Sequence, residues 1–306
     1  MTAESAQVFI AAGELTLDSR LTGMSIEKKP DWLKVRATLG PNYRDLKVLN
    51  RNLSLHTICE EARCPNIFEC WENRTATFLI LGRVCTRACR FCAVETGRPT
   101  ELDREEPQRV AEAVKHLKLR HVVVTSVARD DLADGGACVF VDTIHAIRRD
   151  VPDCKIEVLI PDLQRSEAGL ASIIDAGPDI LNHNVETVER LQRKVRAKAR
   201  YESSLWVLRR SKQLNATLRT KSGMMLGVGE RREEVVQTMR DLRDNNVDIL
   251  TLGQYLRPSL KHLAVDRFVP PGEFAELKQV GLELGFRHVE SGPLVRSSYH
   301  AHEQTV

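Results

Sequence analysis

The chain has 306 residues, enough for two ordinary domains or one large α/β barrel. Its 42% hydrophobic and 28% charged residues, with a mean hydropathy of −0.28, exclude a disordered or fibrous protein. With 45 Lys and Arg against 42 Asp and Glu the formal charge is only +3, too small a surplus for a dedicated nucleic-acid binder. The longest apolar stretches, residues 8–13 and 78–82 among them, fall far short of the roughly 18 residues that span a bilayer. The first residues, MTAESAQVFIAAGELTLDS, lack the basic and apolar regions of a signal peptide, and Glu4 and Glu14 argue against a transit peptide. A cytoplasmic protein with no membrane and no nucleic-acid partner is expected.

Residues 1–74 read as an N-terminal extension: a charged, proline-containing entry (KKPDWLKV), a helix near Tyr43 to Asn50, and three cysteines. From Thr75 onward, short β-branched or apolar runs alternate with amphipathic stretches. The strands expected are ATFLILG from Ala76, HVVVTSV from His121, CKIEVLI from Cys154, DILNHN from Asp179, ATLRTKSGMML from Ala216 and DILTLGQ from Asp248. Helices are expected to begin near Glu105, Ala137, Ser166, Glu186, Tyr201 and Arg232. Parallel strands require such crossovers. Six units with no clear seventh or eighth predict an open, partial (βα)6 TIM-type barrel over residues 75–256, with its chemistry at the C-terminal strand ends. Residues 257–306, broken by Pro258, Pro270 and Pro271, read as a C-terminal extension.

Six of the eight cysteines crowd into the 34 positions from Cys59 to Cys92, which in a reducing compartment signals metal or catalysis before disulfides. Cys85, Cys89 and Cys92 form a C-x3-C-x2-C group directly after the first barrel strand. Three thiolates on one tight loop suit three corners of a four-iron cluster and leave the fourth iron open to a ligand. A zinc site would be expected to show paired C-x2-C knuckles instead. Cys59, Cys64 and Cys70 make a second incomplete set, C-x4-C-x5-C, for which a zinc site completed by a histidine such as His56 stays open on spacing alone. Cys138 and Cys154 stand alone and are expected in the core as small hydrophobes.

The C-x3-C-x2-C group with Phe91 before its last cysteine resembles the radical S-adenosylmethionine (SAM) superfamily. The segments HTICEEARCPNIFECW, CTRACRFCAVETGRP, VTSVARDDLADGGA and SGPLVRSSYHA extend the resemblance, from about Asp31 to Ala301, to the lipoyl synthases. That resemblance implies that Cys85, Cys89 and Cys92 hold the SAM-binding cluster, whose open iron is chelated by SAM, the source of a 5′-deoxyadenosyl radical. It implies a second [4Fe–4S] cluster on Cys59, Cys64 and Cys70, with a serine of Arg296-Ser297-Ser298-Tyr299 as fourth ligand, Ser298 before Ser297. An alkoxide is a harder, less matched iron ligand than thiolate, so that corner can be released while the cluster gives up sulfur. By the same resemblance the reaction is sulfur insertion at C6 and C8 of an octanoyl-lysine. The partners it implies are octanoylated carrier domains (E2 subunits of 2-oxoacid dehydrogenases, the glycine-cleavage H protein), an electron donor such as ferredoxin or flavodoxin, and an iron–sulfur carrier protein. A monomer is the expected state.

Gly135 and Gly136, after the second strand, correspond to the superfamily's SAM-contacting glycines, although an ordinary loop before a helix fits equally well. Residues 223–230 match its GxIxGxxE pattern, with Met225 in the position that lines the adenine pocket. Asn182 and Glu186, at the end of the fourth strand, are expected to contact SAM, and His183 to be a hydrogen-bonded structural residue. Arg129, Asp130 and Asp131 are either a contact network or a solvated charge run. Departures from the family pattern fall at Phe68, Arg83, Ala88 and Ala128, none of them a ligand. Two rival readings are a two-cluster methylthiotransferase acting on tRNA and a zinc-stabilised binding protein.

Overall fold

A computed structural model describes residues 29–35, 37, 39–299 and 301. The start of the N-terminal extension lies outside these. In chain order the first elements are helix α1 (Pro41–Asn52), the two-residue strand β1 (His56–Thr57), and short helices α2 (Ile58–Glu61) and α3 (Ile67–Glu72). Helix α1 begins on Pro41, whose fixed φ suits a first turn. Its Tyr43 ring meets Trp71 at 5.1 Å and Phe68 at 5.4 Å, which gives the phenyl group at the unusual position 68 a packing role.

Strand β2 (Thr77–Ile80) opens the barrel, and the cluster loop after it pairs two short strands, β3 (Val84–Cys85) and β4 (Glu95–Thr96). Then follow α4 (Glu106–Leu117), β5 (His121–Ser126), α5 (Ala137–Asp150), β6 (Lys155–Leu159), α6 (Glu167–Asp175) and β7 (Ile180–Asn182). The chain continues through α7 (Gln192–Val195), α8 (Tyr201–Leu214), β8 (Arg219–Leu226), α9 (Arg232–Asp244), β9 (Ile249–Gln254), α10 (Pro271–Glu283) and β10 (His288–Gly292). Ser166 caps α6 by accepting from the Gly169 N–H at 3.1 Å.

The main sheet runs β1-β2-β5-β6-β7-β8-β9-β10, with every pair parallel except β1 with β2. The six expected strands are β2 and β5 to β9, and their near-continuous burial is that of a sheet covered on both faces. The sheet also extends beyond them. Strand β10 pairs in parallel with β9 from His288↔Ile249 to Gly292↔Gly253, inside the stretch read as a proline-broken extension. Its sequence, HVESG, escaped notice because only Val289 is buried. Strands β1 and β10 are the two edges, and no ladder joins them among the described residues. The barrel is open at that seam.

Two further expectations are corrected. No helix begins near Glu186: that residue takes φ +64° and its backbone bridges Met224, so the chain stays irregular until a 3-10 turn at Glu189–Leu191 and α7. Cys154 is buried as expected, but Cys138 is exposed, because α5 turns Ala137, Val139 and Phe140 inward and leaves position 138 facing solvent.

Inside the barrel, Glu157 on β6 and Lys221 on β8 form an ion pair at 3.0 Å with both side chains wholly buried. Asn182 of β7 donates to the Glu157 carboxylate at 3.0 Å, and the His121 ring lies 3.7 Å from it. Burial alone would raise the Glu157 pKa, but the Lys221 ammonium, helped by His121 and Asn182, holds it at about 2.

Candidate functional site

The C-x3-C-x2-C loop is held on three sides. Toward β5, the Cys85 sulfur accepts from the backbone N–H groups of Arg87 at 3.4 Å and Ala128 at 3.3 Å. The Thr86 hydroxyl donates to the Ala128 carbonyl at 2.9 Å and accepts from the Asp130 N–H at 3.0 Å. Beneath it, the Arg87 guanidinium forks onto Asp130 at 2.7–3.0 Å and reaches Asp162 at 2.6 Å. On the outer side, the Arg90 N–H donates to the Val195 carbonyl, and the Arg90 carbonyl accepts from Leu263, both at 2.9 Å. His262 donates through Nε2 to the Cys92 carbonyl at 3.0 Å, its Nδ1 accepting from the Ser259 hydroxyl at 2.8 Å.

Cys85 lies near enough to Cys89 and Cys92 to raise the proton affinity of both. Burial first, then its neighbours, pushes the Cys92 thiol up to about 12. Burial also raises Cys89, with Arg196 pulling it back and Glu186 and Cys85 adding to the rise. Soft ligands of this kind give up their protons on binding iron, so the loop is assembled for a metal cluster and is costly to ionise without one.

The second cysteine set lies at the open seam and is built from both edges of the sheet. Cys59 sits on α2, just past β1, Cys64 in the following turn and Cys70 on α3. Together with Asn66, Thr75, Thr77, Arg296, Ser298 and Tyr299 they line one cavity. Asn66 donates through Nδ2 to the Leu294 carbonyl at 2.7 Å, and the Tyr299 hydroxyl donates to the Glu69 carboxylate at 3.2 Å, which ties the segment after β10 across the gap. Ser298, and not Ser297, lines the cavity. Burial drives the Cys59 thiol up to about 12, with Cys64 adding to the rise, and raises Cys64 and Cys70 as well.

Among the described residues no three His, Cys, Asp or Glu side chains converge tightly enough to hold a single metal ion. Around zinc, thiolate sulfurs 2.3 Å from the metal would lie within about 4 Å of each other. Three thiols that line one cavity together with Ser298, without converging on one point, fit the larger body of an iron–sulfur cluster.

Three comparisons bear on this arrangement. The profile of the radical SAM superfamily matches residues 79–242, and that of the N-terminal domain of lipoyl synthase matches residues 10–64. A lipoyl synthase from Rubrobacter xylanophilus is 63% identical over 277 residues, covering 90% of this chain and 86% of that protein. The chain belongs to the lipoyl synthase family. A Bacillus mycoides lipoyl synthase is 60% identical, covering 91% of this chain and 94% of its own length. Among solved structures, methylornithine synthase superposes with a TM-score of 0.54 at 17% identity over 81% of each chain. The peptide-bound SuiB of Streptococcus suis gives 0.56 at 8% identity, covering 88% of this chain and 58% of that one, and at such identities the likeness concerns the fold alone. As a radical SAM enzyme of the lipoyl synthase family, the protein takes a [4Fe–4S] cluster and SAM, and the Cys85, Cys89 and Cys92 loop fits that cluster.

The remaining predicted residues fall at or near the C-terminal strand ends. Gly135 and Gly136 adopt φ +64° and +90° at the start of α5, and a Cβ on Gly136 would lie 2.3 Å from the Leu81 side chain. These glycines are therefore required by local geometry, whatever else they contact. Met225 donates its N–H to the Glu186 carbonyl at 2.9 Å. Glu230, of the same motif, accepts from the N–H groups of Gly227 at 2.6 Å and Val228 at 2.9 Å and so closes the turn after β8. Glu186 faces Cys89 and Cys92. Burial raises its pKa, opposed by Arg196 and by the Asn184 amide, which donates to it at 3.1 Å. Asn182 points into the barrel toward Glu157, and its Oδ1 meets no protein partner among the described residues.

His183 is the hydrogen-bonded structural residue expected. Its Nδ1 donates to the Ile160 carbonyl at 2.8 Å and its Nε2 accepts from the Ser204 hydroxyl at 2.9 Å, while burial and the nearby Arg196 push it down to about 4. Residues 129–131 form a network: Arg129, almost wholly buried, forks onto Asp131 at 2.8–3.1 Å, while Asp130 serves Arg87. Sequence reasoning missed Arg87, Arg196 and His262. Arg196 donates to the carbonyls of Asn184 and Val185 at 3.2 and 3.1 Å and sets a cation between Cys89 and Glu186. The partners that tie them into the site, Asp130 and Asp162 for Arg87, Asn184 for Arg196 and Cys92 for His262, are 12 to 170 residues away, so nothing local marked them.

Proposed function

We propose that this enzyme is a sulfurtransferase that inserts two sulfur atoms, at C6 and C8, into an octanoyl chain on a lysine of a lipoyl carrier domain. The sulfur comes from a second [4Fe–4S] cluster on Cys59, Cys64, Cys70 and Ser298. The observation that supports this reading best is the seam cavity, lined by Cys59, Cys64, Cys70 and Ser298 with no fourth cysteine among the described residues. When bound, the first cluster and SAM supply the 5′-deoxyadenosyl radical that removes hydrogen from unactivated carbons, a step beyond acid–base chemistry. The chain's residues do the rest. Gly135, Gly136, Asn182, Glu186 and Met225 line the strand ends as SAM contacts, and the Arg87 clamp with the His262 bond keeps the cluster loop in place. Ser298 provides the one hard ligand that can be released without disturbing three thiolates.

The substrates in this reading are octanoylated E2 and glycine-cleavage H domains, and the setting is cytoplasmic. A ferredoxin- or flavodoxin-type donor supplies electrons, an iron–sulfur carrier protein reloads the second site, and the enzyme works as a monomer. Anaerobic iron and sulfide counts test it. About eight irons per chain are expected, falling to about four in a Cys85→Ala, Cys89→Ala, Cys92→Ala variant. Ser298→Ala is expected to abolish lipoyl product with an octanoyl-domain substrate while Ser297→Ala retains it. Lipoyl product from Cys59→Ala would refute the sulfur source.

A further inference from the structure

Among the described residues the seam cavity contains one cation, and that cation has no anionic partner. Arg296 lines the cavity with Cys59, Cys64, Cys70 and Ser298, and no other described basic residue does so. Of its five N–H donors, one hydrogen bond is formed among the described residues, from Nη1 to the Val295 carbonyl at 2.7 Å. No described carboxylate lies within salt-bridge distance. Cys64, Cys59 and Cys70 line the same cavity as its guanidinium. The fold makes room for this placement: a Cβ on Gly253 of β9 would lie 2.1 Å from the Val295 carbonyl and 3.4 Å from Arg296 Nη1. A guanidinium stays charged in any protein environment, and an unpaired one beside a cavity calls for an anion there.

We propose that Arg296 is the counter-cation of the second cluster, the positive charge against which that cluster is held in the seam. The inference rests on the two-cluster reading above. Three thiolates, one alkoxide and a four-iron core of charge two plus sum to a dianion, and burying it without a nearby cation is costly. Nearby charge also tunes the reduction potential of an iron–sulfur centre, so removing the guanidinium should make the cluster harder to reduce. The identity of the side chain matters less than its charge.

The test uses the full chain carrying Cys85→Ala, Cys89→Ala and Cys92→Ala, so that only the seam set holds iron. Arg296→Met and Arg296→Lys are added separately, with iron and sulfide per chain, iron loss to a chelator, and an EPR-monitored reductive titration as readouts. Arg296→Met is expected to lose iron about tenfold faster than its parent and to show a more negative midpoint. Arg296→Lys is expected to lie close to the parent in both. Parent-like retention and midpoint in Arg296→Met, or a Lys variant as impaired as Met, would overturn the inference alone. An iron-free parent would overturn the two-cluster reading and this inference with it.

Discussion

Lys221→Met removes the cation from a wholly buried pair and leaves the Glu157 carboxylate facing only Asn182 and a more distant His121. A carboxyl whose pKa drops from the ordinary 4.5 to about 2 contributes about 3 kcal/mol to stability at neutral pH. That contribution is complete above 4.5 and is lost as pH falls through 2. Removing one partner of a buried pair costs about 3–5 kcal/mol, in agreement. Taking about 2.1 cal/mol/K per residue for the unfolding entropy, a loss of 3 kcal/mol lowers the melting temperature of this chain by about 5 °C. The variant also differs in its pH dependence. Without Lys221, burial raises the Glu157 pKa, so the deficit is largest near pH 7 and shrinks toward pH 5 as the carboxyl takes up a proton. Anaerobic thermal melts of wild type and variant at pH 5, 6 and 7 measure both effects, and Glu157→Leu combined with Lys221→Met should recover most of the loss. A variant melting within about 1 °C of wild type, or a deficit that grows on acidification, would refute the account.

Two further perturbations address the cluster loop and the strand ends. Arg87→Met strands Asp162, 9% exposed, beside Asp130, 21% exposed, and should cost about 2–3 kcal/mol, with partial recovery on adding Asp162→Asn in a denaturant double-mutant cycle. His183, neutral in the folded chain down to about pH 4, leaves the unfolded chain as the better proton binder below 6.5. Stability should therefore fall by about 3 kcal/mol between pH 6.5 and 4 on its account, and His183→Gln should flatten that slope in urea titrations.

Much of the site was legible because its signals are local. The C-x3-C-x2-C and C-x4-C-x5-C spacings, each of the six apolar strands and the helix start near Ser166 are each spelled out within a few consecutive residues, where composition and periodicity carry meaning. What was hidden depends on distant partners. Arg87 looks like one more basic residue until Asp130 and Asp162 are brought to it from 43 and 75 positions away. Strand β10 carries too little buried apolar surface to announce itself and is recognisable only by its pairing with β9. The irregular backbone at Glu186 defeats helical periodicity because its left-handed φ and its bridge to Met224 keep the chain out of a helix there. Cys138 shows the converse, since the helix was read correctly but its rotation about its own axis placed the thiol outside.

The open seam has a consequence for how the protein is made. Asn66 waits for Leu294, 228 positions later, and Glu69 for Tyr299, 230 positions later, while Cys92 waits for His262. At about 5–20 residues per second of synthesis, the six clustered thiols leave the ribosome tens of seconds before the segments that wall them in. Neither cysteine loop can reach its final shape until those later segments have been made. Iron delivered during that interval would meet a half-built site, so stable loading waits on the segments at residues 262 and 294–299.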